Sequence, residues 1–348
     1  MNLTVHARAP VRTNDLGGWT DTWFAGRGKV LNLAVLPGVE VEVRVGANPR
    51  RVRRRVAVRA ENFGQTFLMD PDAPRREPHG LLQYALAALS VPADFKLEVS
   101  LFSSVPAGIS TGTSAAVSVA LIAALNELRP RKLGWEAIAR LAHRVETEKL
   151  GRQSGIQDQI AAAHGGVSFI DMSRYPEARV QAVRLRPAVR NELERRLCLV
   201  TLGRSHTSTV LHSRVIAALE AGGPQLRFLR AMAAIAVQGR AHLRHGDLEA
   251  YGEDMTRNHE CQRALHPSLI SAEADAVAAV ARRYRAAGWK VNGAGGRGGS
   301  MTVLASADDV LRRRMVRAVA KLGRGLGTIP VRLSPSGVEA WRTGAKEF

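Results

Sequence analysis

Residues 103–125 read SSVPAGISTGTSAAVSVALIAAL: a proline closes a strand-like stretch, two glycines among small hydroxyl residues follow, and an apolar run comes next. Few folds accommodate that order. Pro106 stops the strand, Gly108 and Gly112 permit left-handed backbone and close approach, and the apolar run predicts a helix. The first amides of that helix have no partner within it, and its positive dipole end faces the loop. Such a turn is an anion site, and phosphate is its natural guest. Ser110, Thr111, Thr113 and Ser114 supply hydroxyls within the loop, and Thr113 or Ser114 is placed to touch a phosphate oxygen or a magnesium ion. No lysine follows the glycines, so this is not a Walker loop. A turn used only for tight packing is the competing reading of the stretch by itself.

The chain has 348 residues, 45% of them hydrophobic, enough for two domains with ordinary cores. Its apolar runs fall short of the roughly 20 residues that cross a bilayer, and MNLTVHARAP lacks a secretory core, so a cytoplasmic protein without a membrane partner is expected. Cys198 and Cys261 are far apart in sequence and read as small core residues. The net charge is +19, but the arginines are scattered, no aromatics are interleaved and no nucleic-acid motif appears. No nucleic-acid partner is therefore expected. The one dense run, RRVRRRVAVRA from Arg50, reads as a solvated strand edge.

Strand patterns fall at 4–10, 38–46, 55–60, 95–103, 165–172, 198–203 and 300–306. Helical patterns fall near 80–90, 114–128, 134–150, 156–163, 208–220, 225–245, 247–264, 271–287 and 307–322. This is an α/β (α+β) chain. The polar, proline-marked stretch before residue 192 suggests a domain boundary near 190, giving units 1–190 and 191–348.

Three further stretches carry candidate chemistry. On the helix before Gly151, Glu136, Arg140, Arg144 and Glu148 repeat every four residues as an outer face, whereas Glu146 shares a side with Ala139 and Ala142. Asp158 follows QSGIQ at the next helix start, where a lone carboxylate is also explained by the dipole. In ARAPVRTNDLGGWTDT, Arg12 follows a strand-closing proline and Asp21 follows the Gly17-Gly18 turn and Trp19; a surface ion pair and a turn aspartate are the plain alternatives. NGAGGRGGS at 292–300 runs into a strand, and Arg297 interrupts its glycines, either exposed or reaching a phosphate. Ser205, Thr207 and Ser208 are possible helix caps. The histidines show no metal spacing, and His242 with His245 reads as a solvated helix face.

In order and spacing these stretches resemble the GHMP kinases, the superfamily of galactokinase, homoserine kinase and mevalonate kinase. ARAPVRTNDLGGWTDT corresponds to the first family motif, PAGISTGTSAA to the second and NGAGGRGGS to the third, so the resemblance covers nearly the whole chain. It implies a two-domain GHMP kinase fold, an N-terminal α/β domain and a ferredoxin-like C-terminal domain, with the active site in the cleft. It also implies ATP-dependent phosphorylation of a small metabolite, with ATP wrapped by Pro106, Gly108, Ser110, Thr111, Gly112, Thr113 and Ser114. Mg2+ would be held by Ser114 and Glu146, while Asp158 takes the hydroxyl proton and Arg12 holds that aspartate. The substrate-binding set implied is Gly17, Gly18, Trp19, Asp21, Gly155, Gly295 and Gly296.

Asp21 matches the family aspartate that binds sugar hydroxyls, which favours a sugar or sugar phosphate. Gly18 and Trp19 replace the acidic residue and histidine of galactokinases. The GG turn, LNLAV at 31–35 and QSGIQDQIAAAHGG look most like the branch acting on the anomeric oxygen of D-glycero-D-manno-heptose 7-phosphate, with fucose kinase a close relative. Trp19 stands where that branch commonly has a third glycine. A homodimer is compatible with the resemblance.

Overall fold

The computed structural model describes residues 3–61, 64–106, 108–203 and 209–344. Two long antiparallel strands organise it, β1 (Leu3–Leu16) and β2 (Gly28–Ala47). The first half of β1 alternates buried and half-buried residues, as a strand with one wet face should. From Ala9 to Leu16 every residue is buried, because here the strand runs beneath helices and against a second sheet. Five more strands extend this sheet: β3 (Val56–Ala60), β4 (Gln65–Met69), β5 (Phe95–Ser103), β6 (Val167–Arg174) and β7 (Glu177–Ala182). β5 pairs with the second half of β2 and β6 with its first half, so β2 spans the lobe.

The helices here are α1 (Gly80–Ala87), α2 (Thr113–Asn126), α3 (Trp135–Arg144) and α4 (Gln157–His164). α2 is buried on every side apart from Ser114, which accounts for an apolar run without amphipathic period. Truncating one of its large buried residues, such as Leu121, would cost about 2–5 kcal/mol.

After α5 (Pro187–Arg196) the chain enters a second sheet made by β8 (Leu197–Leu202), β9 (Gly288–Val291), β10 (Ser300–Leu304) and β11 (Leu326–Ile329), in the order β11-β8-β10-β9. Between β8 and β9 lie α6 (Thr209–Glu220), α7 (Leu226–His245), α8 (Leu248–Leu265) and α9 (Ala272–Arg283), and α10 (Asp309–Ala320) precedes β11. α9 and α10 cover this sheet through a core that includes Val200, Val277, Val303 and Met315. Cys198 belongs to that core. The chain is thus a two-domain α/β protein. A C-terminal unit running to residue 348 was expected, yet β12 (Arg332–Leu333) and β13 (Glu339–Thr343) pair with β2 and β1 of the first sheet. No helix among the described residues is long and apolar enough to cross a membrane.

Several expectations need correction. The supposed boundary stretch folds as β7 and α5, with Pro187 in the first helical turn. β7 lies at an edge and is mostly exposed, although EARVQA alternates polar and apolar residues. The arginine run is not uniformly a solvated edge: Arg50, Arg51, Arg53 and Arg54 are exposed, but Arg55 is buried. Its guanidinium holds Asp72 through two nitrogens at 2.7 and 3.1 Å and donates to the Val91 carbonyl at 2.9 Å. His242 is bound at 2.7 Å to the buried carboxylate of Asp254 rather than merely solvated. The candidate caps Ser205, Thr207 and Ser208 lie outside the described residues.

Candidate active site

The glycine-rich loop forms as the sequence requires. Gly108, Ser110 and Gly112 have φ of +76°, +61° and +70°, so alternate residues are left-handed. Gly112 then caps α2 with no side-chain cap, leaving the first amides of the helix open to the loop. Thr113 is buried with its hydroxyl 3.1 Å from that of Thr111, while Ser114 is exposed. Ser114 and Thr113 line a groove of about 630 Å³ that continues past Arg152 to His79 and Gly80. Pro106 and Gly108 are exposed at the start of the loop.

β1 is pinned to this loop. The Arg12 amide donates to the Thr111 carbonyl at 2.9 Å, and the Arg12 side chain donates to the Ser110 carbonyl. The same guanidinium grips Asp158, Nε to Oδ1 at 2.8 Å and Nη2 to Oδ2 at 3.2 Å. That two-point grip orients a carboxylate far better than a single contact. Burial works against the charged arginine, but Asp158, then Asp15 and Asp21, hold its pKa above the usual value. A Cβ on Gly112 would lie 3.2 Å from Asp158 Cγ, so glycine there lets the loop and the dyad meet.

Asp158 stands in the first turn of α4, and a second carboxylate serves the same helix end. Asp21, buried, accepts the Gln157 amide at 3.0 Å and the Gln157 side-chain Nε2 at 3.3 Å. Burial pushes its carboxyl up to about 6, with the charge of Asp158 adding to the rise. Gly155 is required beside it, since a Cβ would fall 1.9 Å from Asp21 Oδ2. Asp21, Asp158 and Arg12 share one cleft with Trp19, Trp23 and Ile216, so carboxylates face an apolar wall. Trp19 is buried at φ +75° and packs among α6, α7 and α8.

Glu146 is buried in a widened turn, Val145–Lys149, that ends the expected continuous helix. Glu136, Arg140, Arg144 and Glu148 form the exposed face opposite. Gln159 donates to Glu146 at 3.2 Å. Burial, with the Asp158 charge second, raises the Glu146 carboxyl to about 7. Glu146 feels the charge of Asp158, and carboxylate oxygens of this kind are hard donors that suit a divalent cation. Among the described residues no three His, Cys, Asp or Glu side chains form a metal cluster, so phosphate oxygens and water would have to complete the shell.

The remaining glycines act behind the cleft. A Cβ on Gly17 would collide with the Lys29 carbonyl, and one on Gly18 with Asp15 Oδ2. Gly295 and Gly296 pack on the Leu269 carbonyl, while Gly293 and Ala294 line the cleft instead. Arg297 is exposed.

Sequence reasoning missed the polar side of α8. Asn258 accepts the Gly17 amide at 2.8 Å, Gln262 donates to the Gly293 carbonyl at 3.0 Å, and Tyr251 receives a 2.6 Å hydrogen bond from Asn14. One helix therefore holds the first and third glycine turns. Their spacing of seven and four residues along one face was the available signal.

Residues 80–166 match the GHMP kinases N terminal domain. The chain is 26% identical over 325 residues, 88% of its length, to the bifunctional fucokinase/GDP-fucose pyrophosphorylase of Arabidopsis thaliana. It is 36% identical over 108 residues, 31% of its length, to the D-glycero-alpha-D-manno-heptose 7-phosphate kinase of Campylobacter jejuni. The matched regions span 30% and 31% of those two relatives. In fold the chain is similar to a D-glycero-D-manno-heptose 1-phosphate kinase from Bacteroides thetaiotaomicron, with a TM-score of 0.76, 20% identity, and coverage of 98% of this chain and 100% of the other. Residues 80–166 thus match the GHMP kinases N terminal domain, and the two-domain α/β chain as a whole is similar in fold to that heptose 1-phosphate kinase.

Proposed function

We propose that this protein is an ATP-dependent sugar kinase. The observation that carries the reading is the doubly bonded Arg12–Asp158 pair, set where the open end of α2 meets a cleft containing a second carboxylate, Asp21. The triphosphate lies along the loop from Pro106 to Ser114, with backbone amides and hydroxyls as donors. Asp21 accepts hydrogen bonds from sugar hydroxyls. Asp158 takes the proton of the acceptor hydroxyl as its oxygen bonds to the γ-phosphorus and the bond to the β–γ bridging oxygen breaks, releasing ADP. Arg12 keeps Asp158 aimed through its two-point grip, and its charge offsets that of the moving phosphoryl group. Glu146 and Ser114 would hold Mg2+, which supplies charge neutralisation on the phosphates when bound.

The first acceptor in this reading is the anomeric oxygen of a heptose 7-phosphate, supported by the GG turn and by the similarity to heptose phosphate kinases. A second acceptor, an unphosphorylated sugar such as fucose, is favoured by the apolar wall of Trp19, Trp23 and Ile216 and by the extended similarity to a fucokinase. ADP release from MgATP is measured against D-glycero-D-manno-heptose 7-phosphate, L-fucose, D-galactose, D-mannose and L-arabinose, followed by phosphorus NMR of the product. One turned-over sugar with an anomeric phosphate signal supports the reading and identifies the acceptor. ATP binding without turnover on any of them favours a non-catalytic sensor.

A further inference from the structure

Asp15 lies three residues beyond Arg12 on β1 and is completely buried. Its Oδ1 accepts two hydrogen bonds from the second domain, Lys290 Nζ at 3.0 Å and the Gly293 amide at 3.1 Å. Lys290 is also completely buried and gives a further hydrogen bond to the Val291 carbonyl at 2.7 Å. The other oxygen, Asp15 Oδ2, is buried and meets no hydrogen-bond donor among the described residues. Gly293 is wedged between this carboxylate and the dyad, since its own Cβ position lies 3.0 Å from Arg12 Nη2. Arg12 bonds Asp158 and not Asp15, while the buried charge of Asp15 also acts on it.

We infer that Lys290 is a positioning residue for phosphoryl transfer: by occupying Asp15 it leaves the Arg12 guanidinium free to hold Asp158. With the lysine charge gone, Asp15 would be an uncompensated buried anion beside a cation, with a vacant acceptor oxygen at Oδ2. The Arg12 side chain would then turn toward Asp15, and Asp158 would lose both its orientation and its counter-charge. The fixed backbone contact between Arg12 and Thr111 would keep the nucleotide loop in place.

This inference rests on the kinase reading, so its test needs one readout that does not depend on turnover. Lys290→Met removes the charge, and Lys290→Gln removes it while keeping a donor for Asp15 in case the first variant does not fold. The expected result is a kcat lower by about 10-fold to 100-fold with the KM for ATP changed by less than about twofold. Adding Asp15→Asn to either variant should recover kcat at least about tenfold, because the competitor is removed. Independently, the Arg12 Nε–H NMR resonance, identified by its disappearance in Arg12→Lys, should shift in the single variants and return in the double ones. A folded single variant with unchanged kcat and unchanged resonance overturns the inference, as does a loss that Asp15→Asn fails to relieve. Wild-type protein that turns over no sugar would defeat the kinase reading, while the resonance would still report on the role of Lys290.

Discussion

Asp21 and Asp158 meet the same turn of α4 from opposite sides of the sequence: Asp21 accepts the Gln157 amide, and Asp158 is the next residue along. One helix end thus fixes two carboxylates with different work. Asp158 is tied to Arg12 and half-exposed to the cleft, whereas Asp21 is buried with a carboxyl pushed up to about 6. Environment separates their roles in the proposed reaction.

Asp158→Asn should preserve ATP binding and lower kcat by about 10²-fold to 10⁴-fold, the range for a lost general base. Arg12→Lys should also lower kcat, because an ammonium cannot reproduce the two-nitrogen grip. Calorimetric titration with ATP alongside steady-state rates checks both; an asparagine variant with full turnover would remove Asp158 from the mechanism.

Gly155→Ala places a methyl group on Asp21 Oδ2 and displaces that carboxylate from the Gln157 amide. The KM for the sugar should rise at least about tenfold with the KM for ATP nearly constant, a loss of acceptor binding only. Equal changes in both constants would mean that Asp21 does not serve the acceptor.

Asp21 and Glu146 have carboxyls raised from 3.8 to about 6 and from 4.5 to about 7. The folded protein therefore holds protons that the unfolded chain has released. Their contribution to stability is complete below the ordinary carboxylate values and is lost as pH rises through about 6 and about 7. In urea titrations without nucleotide or divalent cation, Glu146→Gln should gain stability relative to wild type between pH 5 and pH 8. Magnesium with ATP should protect wild type at pH 8 more than the variant. A wild-type-to-variant difference independent of pH would contradict the assignment.

Tyr251→Phe removes the only hydroxyl that Asn14 Nδ2 meets among the described residues and leaves that amide buried. The expected loss is about 1–3 kcal/mol, read from the urea midpoint. Because Asn14 also takes part in contacts across the two sheets, through its amide to Asn292 Oδ1, domain cooperativity should weaken as well.

What could be read from the sequence was local. The turn before α2 announces itself because strand, glycines and apolar helix are contiguous, and Glu146 stood out because its neighbours on one face are alanines. Arg55, Lys290 and the polar side of α8 were illegible for the opposite reason. Each is a polar residue whose burial depends on partners far away in sequence: 17 residues for Arg55 and Asp72, 275 for Lys290 and Asp15, and 241 for Asn258 and Gly17. Periodicity reports which face a segment turns inward, but not which distant group waits there. The shortest strands failed similarly, because β9 is buried at every position and leaves no alternation to detect.

β13 returns to pair with β1 after the chain has built the whole second sheet. The second lobe is therefore spliced into the first and joined to it by two crossings, one where α5 ends at Arg196 and one between Ile329 and Arg332. A single crossing would permit the lobes to swivel. Two crossings resist torsion between the lobes. The two crossings and the buried bonds of Asp15 to Lys290 and Gly293 therefore hold Gly293 and Ala294 in one register against the strand that carries Arg12.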